Sequence, residues 1–406
     1  MHVRRKPCTT EGRARVEQTW RWYGPKDPIA LRPIAEAGAT GIVTALHQIP
    51  GGTAWSDDAV AERKAMIEAA GLTWSVVESI PVTNAIKARG ADWRRHVDAW
   101  KDSLGALARN GIKTVCYNFM PIIDWTRTDL AWPMRSGAAL RFDIVDFVAY
   151  DVFALKRAGA ADDYAPETVH AAEARFRAMS PDRQAELERI ILAGLPGSDF
   201  AYDRAQFLAL IDDFAGMTAD ELRASLADFH REVVLVAEET GIRLCIHPDD
   251  PPIPLFGLPR VVSTQSDAAA LMAAVDSPAN GLTFCVGSYG SRADNDLTAM
   301  VKAFAPRIHF LHLRNVTIEA PGVFHEDEHL AGGADMVAIV CAVLAEEERR
   351  QAEGRTDRRI PMRPDHGHLL SADPVKNANP GYSYIGRLKG LAEIRGVEMA
   401  AKVLCQ

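Results

Sequence analysis

The stretch IPMRPDHGH, residues 360–368, begins with apolar residues and ends in four polar groups, Arg363, Asp365, His366 and His368. A short apolar run without strict polar alternation is typical of a parallel β-strand that is covered on both faces. Guanidinium, carboxylate and imidazole groups are the ones that bind anions, bind metals or transfer protons. The stretch therefore predicts a buried strand that ends at a functional site, and other strands should then end in the same way.

Seven other runs have the same apolar character. They are QTWRWYG (18–24), TGIVTAL (40–46), TWSVVESI (73–80), KTVCYNF (113–119), RLCIHPD (243–249), LTFCVGS (282–288) and RIHFLHLR (307–314). Helical patterns lie between them, and a glycine such as Gly71, Gly111 or Gly241 often precedes the next strand, as at helix C-termini. Eight strands alternating with helices predict an α/β fold, a (β/α)8 TIM barrel. A doubly wound sheet is disfavoured because no GxGxxG turn follows any run.

The segment between the fourth and fifth runs is far longer than one crossover requires. It contains the charged helical stretch SPDRQAELERIILAG (180–194) and a capping-box helix start, Thr218 with Glu221. We predict a helical insertion between strands 4 and 5, at about residues 130–215, on the catalytic face of the barrel. We expect one barrel domain over residues 18–406, with residues 1–17 as an N-terminal extension.

Composition limits the class of protein. The 406 residues are 48% hydrophobic and 25% charged, which is typical of a soluble globular protein with enough apolar residues for a core. The net charge of -8 argues against a nucleic-acid partner, which requires a basic surface. The six cysteines form no CxxC pair, no apolar run reaches membrane-spanning length, and the basic start lacks the apolar stretch of a secretory signal. We expect a cytoplasmic protein with no membrane partner.

Metal-binding side chains follow the last four predicted strands. They are His247, Cys285, His312 and Asp365. In a barrel, catalytic residues lie at the carboxyl ends of the strands, so these four side chains should converge. A single histidine at a strand end is more often a hydrogen-bonded structural residue than a ligand, and His309, on the opposite face, is interpreted in that way. If the four side chains on consecutive strands were all structural, each would need its own explanation, whereas one shared metal site explains all four.

The types of ligand narrow the choice of metal. Two imidazoles, a thiolate and a carboxylate suit a divalent ion such as Mn²⁺, Fe²⁺, Co²⁺ or Zn²⁺. The thiolate argues against Mg²⁺ and Ca²⁺, which prefer oxygen ligands. Softness alone favours zinc over manganese, so ligand type does not select the metal. Structural zinc ligands usually come in closely spaced pairs, whereas ligands on four strands are typical of a catalytic site.

Further polar residues around the predicted site could bind and convert a substrate. His366 could act as a general acid or base. Tyr382, in the turn-rich NPGYSYIG, could be a second proton-transfer group, although packing on the rim explains it equally well. Arginine forks bind carboxylates, and amides suit a polyol. The candidate substrate-binding residues are Arg314, Arg363, Arg21 and Asn118.

Nine motifs, in order, resemble the mannonate dehydratases that belong to the xylose isomerase-like barrels. They are WRWYGPKDP, TGIVTALHQIPGG, VVESIPV, CYNFMPIIDWTRTDL, IHPDDPP, FCVGS, FLHLRN, MRPDHGH and NPGYSYIGRLKGL. The resemblance runs from about Gln18 to the C-terminus. It implies dehydration of D-mannonate to 2-dehydro-3-deoxy-D-gluconate in hexuronate (glucuronate) breakdown, with bound Mn²⁺ or Fe²⁺.

The resemblance also implies roles for individual residues. The family's metal ligands fall on His247, Cys285, His312 and Asp365, the same set that the strand ends predict. Its acid/base pair falls on His366 and Tyr382, and which of the two abstracts the proton stays open. The expected partner is a small sugar acid, and the expected assembly is a homo-oligomer, a dimer.

Three other functions remain as alternatives. A metal-dependent aldose–ketose isomerase on the same barrel is the nearest, but such sites use mostly carboxylate and histidine ligands, which Cys285 does not match. An endonuclease of similar fold is disfavoured by the acidic charge balance. A non-catalytic sugar-binding protein is disfavoured by proton-transfer groups next to the predicted metal ligands.

Overall fold

The computed structural model describes residues 16–193 and 203–404. Within these residues the chain forms twelve strands. They are β1 (Glu17–Arg21), β2 (Gly41–Thr44), β3 (Thr73–Glu78), β4 (Thr114–Tyr117), β5 (Asp129–Met134), β6 (Gly137–Asp143), β7 (Arg243–Ile246), β8 (Asn280–Cys285), β9 (Ile308–His312), β10 (Asn315–Ala320), β11 (Val323–Asp327) and β12 (Pro361–Arg363).

Fourteen α-helices alternate with or extend from these strands within the described part of the chain. They are α1 (Leu31–Glu36), α2 (Asp57–Ala69), α3 (Asn84–Lys87), α4 (Trp93–Arg109), α5 (Ile144–Val148), α6 (Pro166–Ala178), α7 (Pro181–Ala193), α8 (Arg204–Asp212), α9 (Ala219–Thr240), α10 (Gln265–Ala274), α11 (Val286–Gly290), α12 (Leu297–Phe304), α13 (Met336–Ala352) and α14 (Tyr384–Leu404). A π-helical segment, Ala149–Leu155, continues α5.

Eight parallel strands close into a barrel in the order β1-β12-β9-β8-β7-β4-β3-β2. These are the eight strands that the sequence predicts, so the predicted barrel is confirmed. The eighth strand ends at Arg363, which leaves Asp365 and His366 in the loop that follows. The helix start predicted before the fifth strand is also confirmed, because Thr218 and Glu221 form a capping box at the start of α9.

A four-stranded antiparallel sheet, in the order β10-β11-β6-β5, stands beside the barrel. Strands β5 and β6 belong to the insertion after β4, and β10 and β11 follow β9, so the sheet joins two distant parts of the chain. The sequence predicted an insertion made of helices, and it did not predict the antiparallel hairpin that β5 and β6 form within it. Its outer strand β5 contains Pro133, and proline is tolerated in a sheet at an edge but hides the strand from sequence patterns.

Two cores hold these parts in place. The larger one lies between the barrel strands and the outer helices. A second core, rich in aromatic residues, joins the insertion to the segment after β7, where the rings of Phe147 and Phe207 pack against Phe256. A small inner cluster joins side chains of five barrel strands: Val43, Val76, Cys116, Cys245 and Phe310. This inner cluster lies beneath the site, since the Phe310 ring contacts the His312 ring from the same face of β9.

Some predictions about chain organisation stay predictions. Residues 1–15 of the predicted N-terminal extension lie outside the described residues, and β1 begins at Glu17. No helix in the described ranges has the length and apolar character needed to cross a membrane. The homodimer and the cytoplasmic location stay predictions.

Candidate active site

A cavity of about 520 Å³ opens at the carboxyl ends of the barrel strands. Seven of the ten predicted site residues are among those that line it: Arg21, Asn118, His247, Arg363, Asp365, His366 and Tyr382. The other three, Cys285, His312 and Arg314, are fully or almost fully buried behind this lining. The cavity therefore brings together residues from both halves of the barrel.

Three predicted metal ligands form one cluster. The ligand atoms of His247, Cys285 and His312 all lie within 4.8 Å of one another. They come from the carboxyl ends of three adjacent strands, β7, β8 and β9. Asp365 adjoins this cluster, with its Oδ2 atom 3.6 Å from Nδ1 of His312. Soft and borderline donors at this spacing fit a divalent transition-metal ion.

The electrostatics of the cluster favour the metal-binding forms of Cys285 and His312, whereas His247 holds a proton that it must lose before it can bind a metal. Burial alone would raise the pKa of the Cys285 thiol, but the positive charge of Arg314 and the contact with His247 hold it below its ordinary value. Burial, reinforced by Arg363, holds the pKa of His312 well below 6.5. The pKa of His247 is raised to about 10 despite burial, because the Cys285 thiolate lies beside it. A thiolate and a neutral imidazole are the forms that coordinate metals.

Asp365 and His366 are held in an unusual loop after β12. Asp365 has a left-handed backbone, φ 65°, which is uncommon for a residue other than glycine and concentrates at functional sites. The His366 ring lies edge-on between Trp125 and Tyr382, with centroid distances of 6.0 and 5.1 Å. Gly381, at φ 80°, packs against the same ring, and a Cβ there would lie 3.1 Å from its Cδ2 atom.

Arg363 connects the cluster to the cavity wall. Its Nε donates to Nε2 of His312 at 3.0 Å, and its Nη2 donates to Oε1 of Glu78 at 3.0 Å. Its Nη1 contacts Asp365 and lies 3.4 Å from the Tyr382 hydroxyl. Burial raises the pKa of Tyr382, although Arg363 opposes the shift, so the phenol keeps its proton.

Arg314 has contacts that differ from its predicted role. It is 1% exposed and is not among the residues lining the cavity. Its guanidinium contacts Asp250, Glu326 and Asp365, and Nη2 also donates to the Ser288 hydroxyl at 2.9 Å. With protein carboxylates as its partners, Arg314 is better placed to hold the site together than to bind a substrate carboxylate as predicted.

Three acidic residues of the site, Glu78, Asp250 and Glu326, are not among the residues that the sequence predicts. Glu78 ends β3, and its Oε2 atom is buried without a hydrogen-bond partner beside the cavity. The strand-end rule applied to the first half of the barrel would have found it. Asp250 binds Arg127 at 2.6 Å. Glu326 lies on β11, outside the barrel, where the barrel pattern gives no signal.

The remaining predicted residues also have defined surroundings. Arg21 donates to the carbonyl oxygen of Glu78, and its Nη2 lies 3.3 Å from Nε2 of His47. His309 is buried at the other end of β9, with Nε2 2.9 Å from the Pro278 carbonyl oxygen, as expected for a structural histidine.

Comparison with known proteins identifies the family. The family model described as D-mannonate dehydratase (UxuA) matches residues 16–406. The chain belongs to the mannonate dehydratase family. It is 57% identical to mannonate dehydratase 2 of Agrobacterium fabrum over 383 residues, which cover 94% of this chain and 96% of that protein. It is 51% identical to the mannonate dehydratase of Saccharophagus degradans over 391 residues, 96% of this chain and 98% of that one.

A solved mannonate dehydratase has the same fold. The crystal structure of the enzyme from Streptococcus suis serotype 2 superposes with a TM-score of 0.75 at 32% identity, covering 97% of this chain and 95% of that chain. Family membership confirms the predicted mannonate dehydratase function and the hydro-lyase class, and it does not favour the isomerase alternative. Mannonate dehydratases are metal-dependent, and the cluster of His247, Cys285 and His312 is a possible site for the ion.

Proposed function

We propose that the chain dehydrates D-mannonate to 2-dehydro-3-deoxy-D-gluconate in glucuronate breakdown, with Mn²⁺ or Fe²⁺ as the metal. The proposed ligands are His247, Cys285, His312 and Asp365. The observation that carries this proposal is the cluster of three ligand atoms within 4.8 Å, two of them on buried residues, with the Asp365 carboxylate 3.6 Å from one of the three. When bound there, a divalent ion would stabilise the negative charge that develops beside the substrate carboxylate.

His366 and Tyr382 are the proposed proton-transfer groups. The C2 proton of an aldonate is weakly acidic because the neighbouring carboxylate is already negative. One of the two residues takes this proton, and the other gives a proton to the C3 hydroxyl, which leaves as water. The resulting enol tautomerises to the keto acid, so one proton is taken and one is returned. Both side chains line the cavity, and their rings are in edge-to-face contact.

Arg363, Arg21 and Asn118 are the proposed substrate-binding residues. All three line the cavity. Arg363 lies between the ligand cluster and Tyr382, so it is placed to bind the substrate close to the atoms that react. The Asn118 side chain makes no hydrogen bond with a described residue, so its amide is available to bind a sugar hydroxyl in the cavity.

The test is the formation of keto acid from D-mannonate by metal-stripped protein that remains folded. We expect Mn²⁺ or Fe²⁺ (the latter without oxygen) to restore turnover and Mg²⁺ not to restore it. A His312→Asn variant, which lacks one proposed ligand, is the matched control and should stay inactive with every ion. Full activity of the stripped protein, or inactivity of folded protein with all divalent ions, would contradict the proposal.

A further inference from the structure

The proposed proton-transfer residue His366 has one protein hydrogen-bond partner in the described structure, and that partner lies outside the barrel. Nδ1 of His366 is 3.1 Å from Oε1 of Glu326, and both side chains are buried. Nε2 of His366 lies 3.7 Å from Oδ1 of Asp365, beyond hydrogen-bond range, and the ring borders the cavity. The two ring nitrogens therefore face different surroundings.

Two arginines hold the Glu326 carboxylate. Nη2 of Arg127 and Nη1 of Arg314 each lie 2.7 Å from the same Oε1 atom. Both arginines also contact Asp250, and Arg314 contacts Asp365 as well. Two guanidinium groups on one carboxylate oxygen keep Glu326 ionised, and an ionised carboxylate only accepts hydrogen bonds.

The orientation of Glu326 follows from the register of the antiparallel sheet. Phe324 and Glu326 share the buried face of β11, whereas the neighbouring His325 and Asp327 are more exposed. Phe324 pairs with Phe142 of β6, and the two rings stack at 5.8 Å. A shift of one residue in this register would turn Glu326 away from the barrel.

We infer that Glu326 is a positioning residue, which holds His366 with a proton on Nδ1 and with Nε2 as the nitrogen that exchanges a proton with the substrate. An acceptor-only carboxylate at Nδ1 requires that nitrogen to be the donor. Nε2 is then the nitrogen available at the cavity. The rings of Trp125 and Tyr382 fix the tilt of the imidazole, and Glu326 fixes its rotation and tautomer. This inference rests on the proposed role of His366.

The test is a double-mutant cycle on the metal-loaded enzyme with D-mannonate as substrate. Glu326→Gln, which keeps the volume of the side chain, should lower kcat by roughly 10- to 100-fold, with KM within about twofold of the original, because partners of this kind typically contribute that much. In the double variant Glu326→Gln/His366→Asn, kcat should equal that of His366→Asn alone, since Glu326 acts only through His366. Metal content and melting temperature are measured for each variant.

Asp250→Asn is the matched control. It removes the other carboxylate partner of Arg127 and Arg314 and leaves the His366 contact in place. If Glu326 served only to neutralise the arginines, Glu326→Gln and Asp250→Asn would lower kcat equally, and each effect would multiply with that of His366→Asn. That result, or a fully active Glu326→Gln enzyme, would overturn the inference.

The outcomes separate this inference from the proposed function. A fully active His366→Asn enzyme would overturn the proposed role of His366 and this inference with it, whereas a lack of turnover by the unaltered metal-loaded enzyme would overturn the proposed function. A crippled His366→Asn enzyme whose loss multiplies with that of Glu326→Gln would overturn the role of Glu326 alone. If Glu326→Gln does not fold, Glu326→Asp takes its place in the same cycle.

Discussion

Nε2 of His247 lies 3.1 Å from Nδ1 of His312, although 65 positions separate the two residues in the chain. The two strands that carry them, β7 and β9, are not hydrogen-bonded neighbours in the barrel, because β8 lies between them. Cys285, at the end of β8, completes the cluster. The three proposed ligands are therefore brought together by the parallel pairing of β7 with β8 and of β8 with β9.

Cys285→Ala is expected to weaken the binding of Mn²⁺ or Fe²⁺ by roughly 100-fold or more. Even residues that only contact a ligand typically contribute 10- to 100-fold to affinity, and this variant removes the thiolate itself. The measurement is metal content by mass spectrometry after gel filtration, followed by titration calorimetry. Cys245→Ala, a buried thiol of the inner cluster, is the control and should keep its metal. Equal metal content in the two variants would contradict the site.

His366→Asn is expected to lower kcat by about 10²- to 10⁴-fold, the usual contribution of a general acid or base. Its metal content should not change, because His366 is not a proposed ligand. Steady-state keto-acid formation is the measurement, with bound metal determined on the same sample. His309→Asn, at the opposite end of the barrel, is the control and should keep its kcat. A His366→Asn enzyme with normal turnover would remove this residue from the mechanism.

Asn118→Ala is expected to raise KM for D-mannonate about two- to tenfold with little change in kcat. One hydrogen bond contributes about 0.5–1.5 kcal/mol, and the Asn118 amide lines the cavity. Initial rates over a range of substrate concentrations give both constants. Asn110→Ala, whose amide contacts Asp57 and Ala106 instead, serves as the comparison. An unchanged KM would exclude Asn118 from substrate binding.

Glu347→Gln is expected to stabilise the protein at pH 8 and not at pH 4.5. Burial raises the pKa of Glu347 to about 7 in the folded protein, with Glu398 adding to the effect and Arg350 and Lys402 opposing it. A raised pKa means that the folded state binds the proton more tightly. The stability it provides is fully present below the ordinary pKa of 4.5 and is lost as the pH rises through about 7.

The difference between 4.5 and about 7 corresponds to about 3 kcal/mol, at about 1.4 kcal/mol per unit of pKa. Gln keeps an acceptor for the Ile360 backbone N–H, which Oε1 of Glu347 binds at 2.7 Å. Urea unfolding at both pH values measures the effect. Glu353→Gln, on an exposed residue near the end of the same helix, is the control. A stability gain for Glu347→Gln that is equal at both pH values would contradict the raised pKa.

Phe147→Ala is expected to lower the free energy of unfolding by about 3–5 kcal/mol, the usual cost of removing a buried aromatic side chain. Phe147 is fully buried between Phe142 and Phe256 in the core of the insertion. Leu235→Ala removes a side chain that is 61% exposed and should change stability by less than about 0.5 kcal/mol. Chemical denaturation followed by tryptophan fluorescence compares the two. Similar values would mean that the insertion core adds little to stability.

The sequence predicted the parts of the site that depend on local pattern. Strands β7, β8 and β9 are apolar runs whose last residues must reach one end of a barrel, so His247, Cys285 and His312 could be placed together. Arg314 shares a face with His312, as alternation predicts, but the chain turns into β10 at Asn315 and leaves its guanidinium among protein carboxylates. Side-chain alternation along a strand predicts the direction in which a side chain points, but it does not predict which residues that side chain contacts.

Glu326 could not be predicted, because its position depends on a pairing between distant segments. Strand β11 pairs with β6, although about 180 residues of chain lie between the end of β6 and the start of β11. Each strand is short, and β5 at the edge contains proline, so neither periodicity nor turn residues indicate the partner. Long-range pairing of this kind follows only from the folded structure.

The antiparallel sheet also limits how this enzyme can be recombined with others. A chimaera that exchanged only the segment after β4 would leave Phe324 without the Phe142 ring on which it stacks, and β11 without its neighbour. Residues 129–143 and 315–327 therefore form one unit of exchange, although they belong to two loops of the barrel. Laboratory shuffling, or any ancestral replacement of these loops, has to move both together for Glu326 to stay beside His366.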